Sequence, residues 1–215
     1  MFRRRILHSI VVIVLAVTLA SCNFFDQQGN LTSISTAPMF PIVKSGATQQ
    51  FTATGVNDDG SIASITVTWS SGTPTIATIN PSTGLATAVA VASGGSTNEL
   101  LGTTVITATS GSFSGSTTMT VSANALTSSS IAVTDPNNVT GSTSVAINNT
   151  VQLTAKADFT DQTAVPITNN VQWTSSDTSI ATVTTGGLVG GVKAGTVTIT
   201  ATSGSITGTI QVTVM

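Results

Sequence analysis

The chain has 215 residues, room for one large domain or two small ones. Only 7% of them are charged, against about 25% in an ordinary globular protein. Arg3, Arg4, Arg5 and the single histidine, His8, all lie at the extreme N-terminus, and the single cysteine is Cys22. From residue 22 onward, three lysines stand against eight acidic residues, a formal charge of −5. Imidazole acid–base chemistry, Cys/His zinc sites and internal disulfides are thereby excluded. A basic patch for nucleic acid is excluded too.

Met1–Arg5 carries three positive charges, and Ile6–Ala20 runs apolar apart from His8, Ser9 and Thr18. A charged stretch followed by a short apolar one reads as an export signal. It is shorter than the ~20 residues that span a bilayer, so a signal is favoured over a permanent span. The next residues, Leu19-Ala20-Ser21-Cys22, resemble a bacterial lipobox. That resemblance implies a lipid on the Cys22 thiol, cleavage after Ser21, and anchoring in the membrane by several acyl chains. Asn23 follows the cysteine. In the Gram-negative sorting pattern it leans towards the outer membrane. Residues 1–21 are thus expected to be a signal peptide. Residues 22–30 are a polar tether, with Phe24 and Phe25 near the lipid surface.

Beyond the tether, apolar residues alternate with hydroxylated ones. Ile65, Val67 and Trp69 share one phase, as do Val197, Ile199 and Ala201, and Ile210, Val212 and Val214. Ser and Thr number 69, and Thr favours strands while Ser, Gly and Asn favour turns. Turn signals separate the runs at Asp58-Asp59-Gly60, Asn80-Pro81-Ser82, Ser110-Gly111, Gly186-Gly187 and Ser203-Gly204. The spacing predicts half-buried strands in an all-β sandwich.

The pattern occurs twice. Gln50-Phe51-Thr52-Ala53 matches Gln152-Leu153-Thr154-Ala155, and Val67-Thr68-Trp69-Ser70-Ser71 matches Val171-Gln172-Trp173-Thr174-Ser175. Ile76-Ala77-Thr78 matches Ile180-Ala181-Thr182, and Gly84-Leu85 matches Gly187-Leu188. The seven residues Ile106–Ser112 are identical to Ile199–Ser205. In this order the segments resemble the bacterial Ig-like domain, group 2. The resemblance covers residues 31–122 and 126–215 and implies two tandem Greek-key β-sandwiches. The short Ser122–Ala125 connection predicts end-to-end stacking with little hinge freedom.

The copies differ in their loops. Copy one carries about ten extra residues around Gly94, Gly95, Ser96, Thr97, Asn98 and Glu99, while copy two is longer near Asp135–Ser142. Loop insertions are where binding surfaces sit, so Gly94–Glu99 is the candidate binding loop, weighed against neutral drift. Other candidates have plainer explanations. Trp69 and Trp173 occupy one repeat position on apolar faces and read as core plugs rather than sugar platforms. Asn57-Asp58-Asp59-Gly60 reads as a hairpin turn, since a calcium site needs more oxygens. Asp158 and Asp161 read as solvated loop charges. Lys156 is out of phase with Leu153, Ala155 and Ala157 and should face solvent, which leaves a Ser–Lys dyad without its base. No catalytic residue, cofactor or metal is expected. The function expected is a membrane-anchored surface lipoprotein that adheres to a glycan or envelope protein. The alternative is a structural spacer with no ligand of its own.

Overall fold

The structure is a computed structural model that describes residues 30–90 and 99–215. Among these it contains strands and turns and no α-helix. The first copy runs through β1 (Leu31–Ala37), β2 (Ile42–Lys44), β3 (Thr48–Gln50), β4 (Thr52–Asn57), β5 (Ile62–Ala63), β6 (Thr68–Ser71), β7 (Ala77–Ile79), β8 (Leu85–Ala88), β9 (Leu100–Ser110) and β10 (Phe113–Ser122). The second repeats the series as β11 (Ala132–Thr134), β12 (Ser142–Val145), β13 (Thr150–Gln152), β14 (Thr154–Ala157), β15 (Val165–Pro166), β16 (Gln172–Ser175), β17 (Ala181–Val183), β18 (Leu188–Gly191), β19 (Gly195–Ser203) and β20 (Ile206–Val214).

Each copy is a two-layer sandwich. One layer is a four-stranded sheet, ordered β2-β10-β9-β6 in the first copy and β12-β20-β19-β16 in the second. The other layer is made of two three-stranded sheets, β1-β4-β5 with β3-β8-β7, and β11-β14-β15 with β13-β18-β17. The two small sheets meet where one residue, Phe51 or Leu153, separates consecutive strands, and both side chains are fully buried. The first strand changes layer in each copy. β1 pairs antiparallel with β4, and then β2 pairs parallel with β10. The crossing segment holds a cis Ala37–Pro38 peptide and a left-handed Phe40. In copy two the equivalent kink is the longer Asp135–Gly141 loop, with Asn138 and Gly141 left-handed.

The expected alternation is present at β19 and β20. Val197, Ile199, Ala201, Ile210, Val212 and Val214 are buried, while the intervening residues face outward. The outer residues form cross-strand rows without charge: Thr196 opposite Thr213, Thr200 opposite Thr209, Thr202 opposite Thr207. Hydroxyl pairs of this kind stabilise a sheet as opposite charges would. The first copy departs from expectation at one end. Ile65 and Val67 keep their half-buried phase, but the ladder begins only at Thr68. Residue phase is set by the core, whereas a ladder needs a neighbouring backbone. β9 supplies one only from Thr68, opposite Thr109.

Two separate cores result. One gathers Phe51, Trp69, Ile106, Met119 and their neighbours, and the other gathers Leu153, Ile167, Trp173, Ile199 and Ile210. Ile42 and Leu100, which belong to the first copy, pack against the second core.

Candidate functional site

Most of the repeated motif residues hold the sandwich together. Trp69 and Trp173 are both buried, as the sequence suggested. Trp173 Nε1 donates to the Thr168 carbonyl at 2.9 Å, and the Trp69 ring packs 6.1 Å from Phe51. The Gly-Leu turn fits against these rings. Gly187 is left-handed, and a Cβ there would lie 2.8 Å from the Leu153 carbonyl oxygen and 3.0 Å from the Trp173 ring. The serine after each tryptophan motif ties the layers. Ser71 Oγ donates to the Ala77 carbonyl at 2.6 Å, and Ser175 Oγ to the Ala181 carbonyl at 2.7 Å. Gln50 and Gln152 each donate to the carbonyl of the next residue and to one carbonyl across the turn, Thr83 and Gly186 respectively.

The acidic candidates engage local partners. At the β4–β5 hairpin, Gly60 is left-handed. Asp58 accepts from the Asn30 backbone and side chain. Asp59 accepts from Ser61, whose side chain and backbone hold its carboxyl below the ordinary value. The two carboxylates therefore have separate partners, and the segment is a hairpin turn. Among the described residues no three His, Cys, Asp or Glu side chains come together. Asp158 is exposed and accepts from the Ala164 N–H, and Asp161 is exposed. Lys156 is half-buried and its Nζ donates to Asn138 Oδ1 at 2.8 Å. It thus reaches the kink loop as well as solvent.

Asp135 is the most engaged carboxylate. It accepts from the Val139 and Asn137 N–H groups at 2.9 Å each, and from Thr143 Oγ1 at 3.3 Å. The Val139 N–H is the largest influence and holds the Asp135 carboxyl below its ordinary value, with burial opposing it. Beside it lies an open hollow of about 610 Å³, lined by the kink loop, β12, Val151 and Thr213.

The lipobox residues Leu19, Ala20, Ser21 and Cys22 lie outside the described residues, as do Gly94, Gly95, Ser96, Thr97 and Asn98 of the candidate loop. Glu99 is described, and it requires a correction. Expected as part of an exposed binding loop, it is only 3% exposed. Its Oε1 accepts from the Asn124 backbone at 2.8 Å and its Oε2 from the Asn124 amide at 3.2 Å. The reason is where β9 begins. The strand starts at Leu100 beside the linker, so the residue just before it is captured by Asn124. Ser122 Oγ adds a bond to the Asn124 carbonyl at 2.7 Å.

This linker clamp is part of a joint between the copies. The β19–β20 hairpin reaches the kink of copy one. The Gly204 N–H donates to the Met39 carbonyl at 2.7 Å, and Ser203 Oγ to the Phe40 carbonyl at 2.9 Å. Asn170 Nδ2 donates to Thr120 Oγ1 at 3.1 Å. A small hollow of about 220 Å³ remains between Pro38, Pro41, Gln49 and residues 203–206. These joint residues escape sequence reading because half of the partners are backbone carbonyls, which any residue supplies.

Comparison with known proteins agrees with the repeated architecture. The bacterial Ig-like domain (group 2) matches residues 30–121 and again residues 129–214. Ice-binding protein 1 of Shewanella frigidimarina is 35% identical over 189 residues, which is 86% of this chain and 19% of that protein. A 3-O-alpha-D-galactosyl-alpha-L-arabinofuranosidase of Bifidobacterium longum is 62% identical over 45 residues, 20% of this chain and 4% of that one. The chain therefore spans a minor part of both relatives. Among solved structures, domains 5-6 of the S-layer protein SbsC align at 24% identity with a TM-score of 0.38, covering 86% of this chain and 97% of that one. With both copies matched in full sequence order, the chain belongs to the family of bacterial Ig-like domains, group 2.

Proposed function

We propose that this chain is an exported, non-enzymatic lipoprotein, anchored through acylated Cys22, whose paired sandwiches form a stiff spacer at the cell envelope. The supporting observation is the joint. Among the described residues three hydrogen bonds cross between the copies, Glu99 holds the linker, and Ile42 and Leu100 pack against the second core. A linker held in this way leaves the sandwiches little relative motion. The relatives add weight. One is named for ice binding and one for a glycosidase, and each shares only a small part with this chain. A module found in proteins with unrelated tasks suits support and display. Asn23 and the lipobox favour the outer membrane in a two-membrane host.

Adhesion to a glycan or envelope protein is the second reading. It is favoured by the insertion at residues 94–98, which copy two lacks. One experiment separates the two. Spin labels at Ser82 and Ser179, exposed sites on different sandwiches, should give a single narrow distance distribution in the spacer. A broad distribution, together with saturable glycan or matrix binding that is lost on trimming 94–98, would replace it with the adhesion reading. The anchor has its own test: Cys22→Ser should leave an uncleaved, unlipidated precursor, and normal processing of that variant would rule the lipid out.

A further inference from the structure

The joint has an unoccupied counterpart. Counting along the identical segments places Ser110-Gly111-Ser112 of copy one at Ser203-Gly204-Ser205 of copy two, and Thr120 at Thr213. The strand registers extend this equivalence. Ile42 pairs with Thr120 as Ser144 pairs with Thr213. Gln49 and Val151 occupy the centres of the equivalent strands β3 and β13. The surface of copy one that receives the β19–β20 hairpin is therefore built from the Pro38–Pro41 kink, Ile42, Gln49 and Thr120. Its equivalent in copy two is the Asp135–Gly141 kink, Ser144, Val151 and Thr213. Those residues line the 610 Å³ hollow.

The contrast in exposure follows from occupancy. Thr120 is 1% exposed beneath the second copy, whereas Thr213 is exposed. Ser203 is 2% exposed in the joint, whereas Ser110 is half-buried and Gly111 and Ser112 are exposed. Val139, on the hollow's rim, is 47% exposed. Among the described residues, the socket on copy two and the Ser-Gly-Ser hairpin on copy one are therefore both left uncovered.

We infer that the hollow beside Asp135 is a docking site for the Ser110–Ser112 hairpin of a second copy of this chain. The contact repeats the hairpin part of the internal joint and is head to tail, so it is heterologous and open-ended. Within one chain the short linker supplies a high effective concentration for the joint. Between chains that help is missing, so the association is weaker than the internal joint. The inference is independent of the spacer reading, since it concerns a surface that either function leaves free.

The test uses residues 30–215, which contain both cores entire, in sedimentation velocity at up to about 1 mM. The unmodified chain should form dimers and longer species as concentration rises. Ser112→Trp blocks the hairpin and Ser144→Trp fills the socket, both at exposed positions. Each variant alone should lose association by at least about tenfold. Mixed together they should form dimers that grow no further, because one brings a free socket and the other a free hairpin. That complementation also shows that both variants are folded. A monomeric unmodified chain at the highest concentration, or a mixture that fails to dimerise while the unmodified chain associates, overturns the inference.

Discussion

At the residue scale, the motif that repeats most clearly is the one that holds the layers together. Tryptophan, the serine two positions later and the turn glycine were all legible in the sequence as a recurring set, and each has a mechanical task. Replacing Trp173 by Ala removes a buried ring and its hydrogen bond, and should cost about 3–5 kcal/mol in urea unfolding. A loss under about 1 kcal/mol would mean the ring is not the core plug described. Gly187→Ala should also destabilise, since its left-handed backbone and the Leu153 carbonyl leave no room for a methyl group. Asp135 was legible only as part of a longer loop. Its bonds depend on how the loop folds back on itself, which spacing does not reveal. Because its carboxyl is depressed below 3.8 in the fold, it stabilises above that value and ceases to do so as the pH falls through the folded pKa. Asp135→Asn should therefore lower the melting temperature at neutral pH. The gap from the unmodified chain should close as the pH drops below about 3.8. A gap that persists in acid would assign the effect to something other than the charge.

At the scale of elements, period-two alternation placed the inward apolar residues of β19 and β20. It did not reveal which inward positions must be glycine. Gly115 and Gly208 lie in the inward phase of β10 and β20, where a Cβ would collide with the carbonyls of Ile34 and Ile131 in the facing layer. Close approach of two layers is a property of the pair, not of either strand. Gly208→Ala must push β11 away from β20 and should cost about 3 kcal/mol, measured by chemical denaturation. If the variant melts with the unmodified chain, the layers are further apart than described. The late start of the β6 ladder has a similar origin. Ile65 and Val67 obey the alternation, but no strand lies alongside them to complete it.

At the scale of the whole molecule, the duplication, the sandwich class and the short linker were legible, and the side chains that build the joint were not. Glu99 shows why. As the only glutamate, next to a Gly- and Ser-rich stretch, it looks like a solvated loop residue. Its burial requires Asn124, 25 residues away, to arrive at the same place. Glu99→Ala removes both acceptors of the Asn124 clamp. It should broaden the Ser82–Ser179 distance distribution while leaving unfolding of the second sandwich unchanged. An unchanged distribution would show that the hairpin contacts alone hold the joint.

The layer change of the first strand has a mechanical consequence. β2 lies parallel to β10, and β12 parallel to β20, so the entering and leaving strands of each sandwich run side by side in the same direction. A pull between the two ends of a sandwich drags such neighbours past one another. Their hydrogen bonds are then loaded together in shear, not opened one at a time as in a peeled hairpin. Resistance to a steady pull is set by the rate of unfolding rather than by equilibrium stability. A protein exposed to flow therefore gains most from this arrangement at the strands where load enters and leaves.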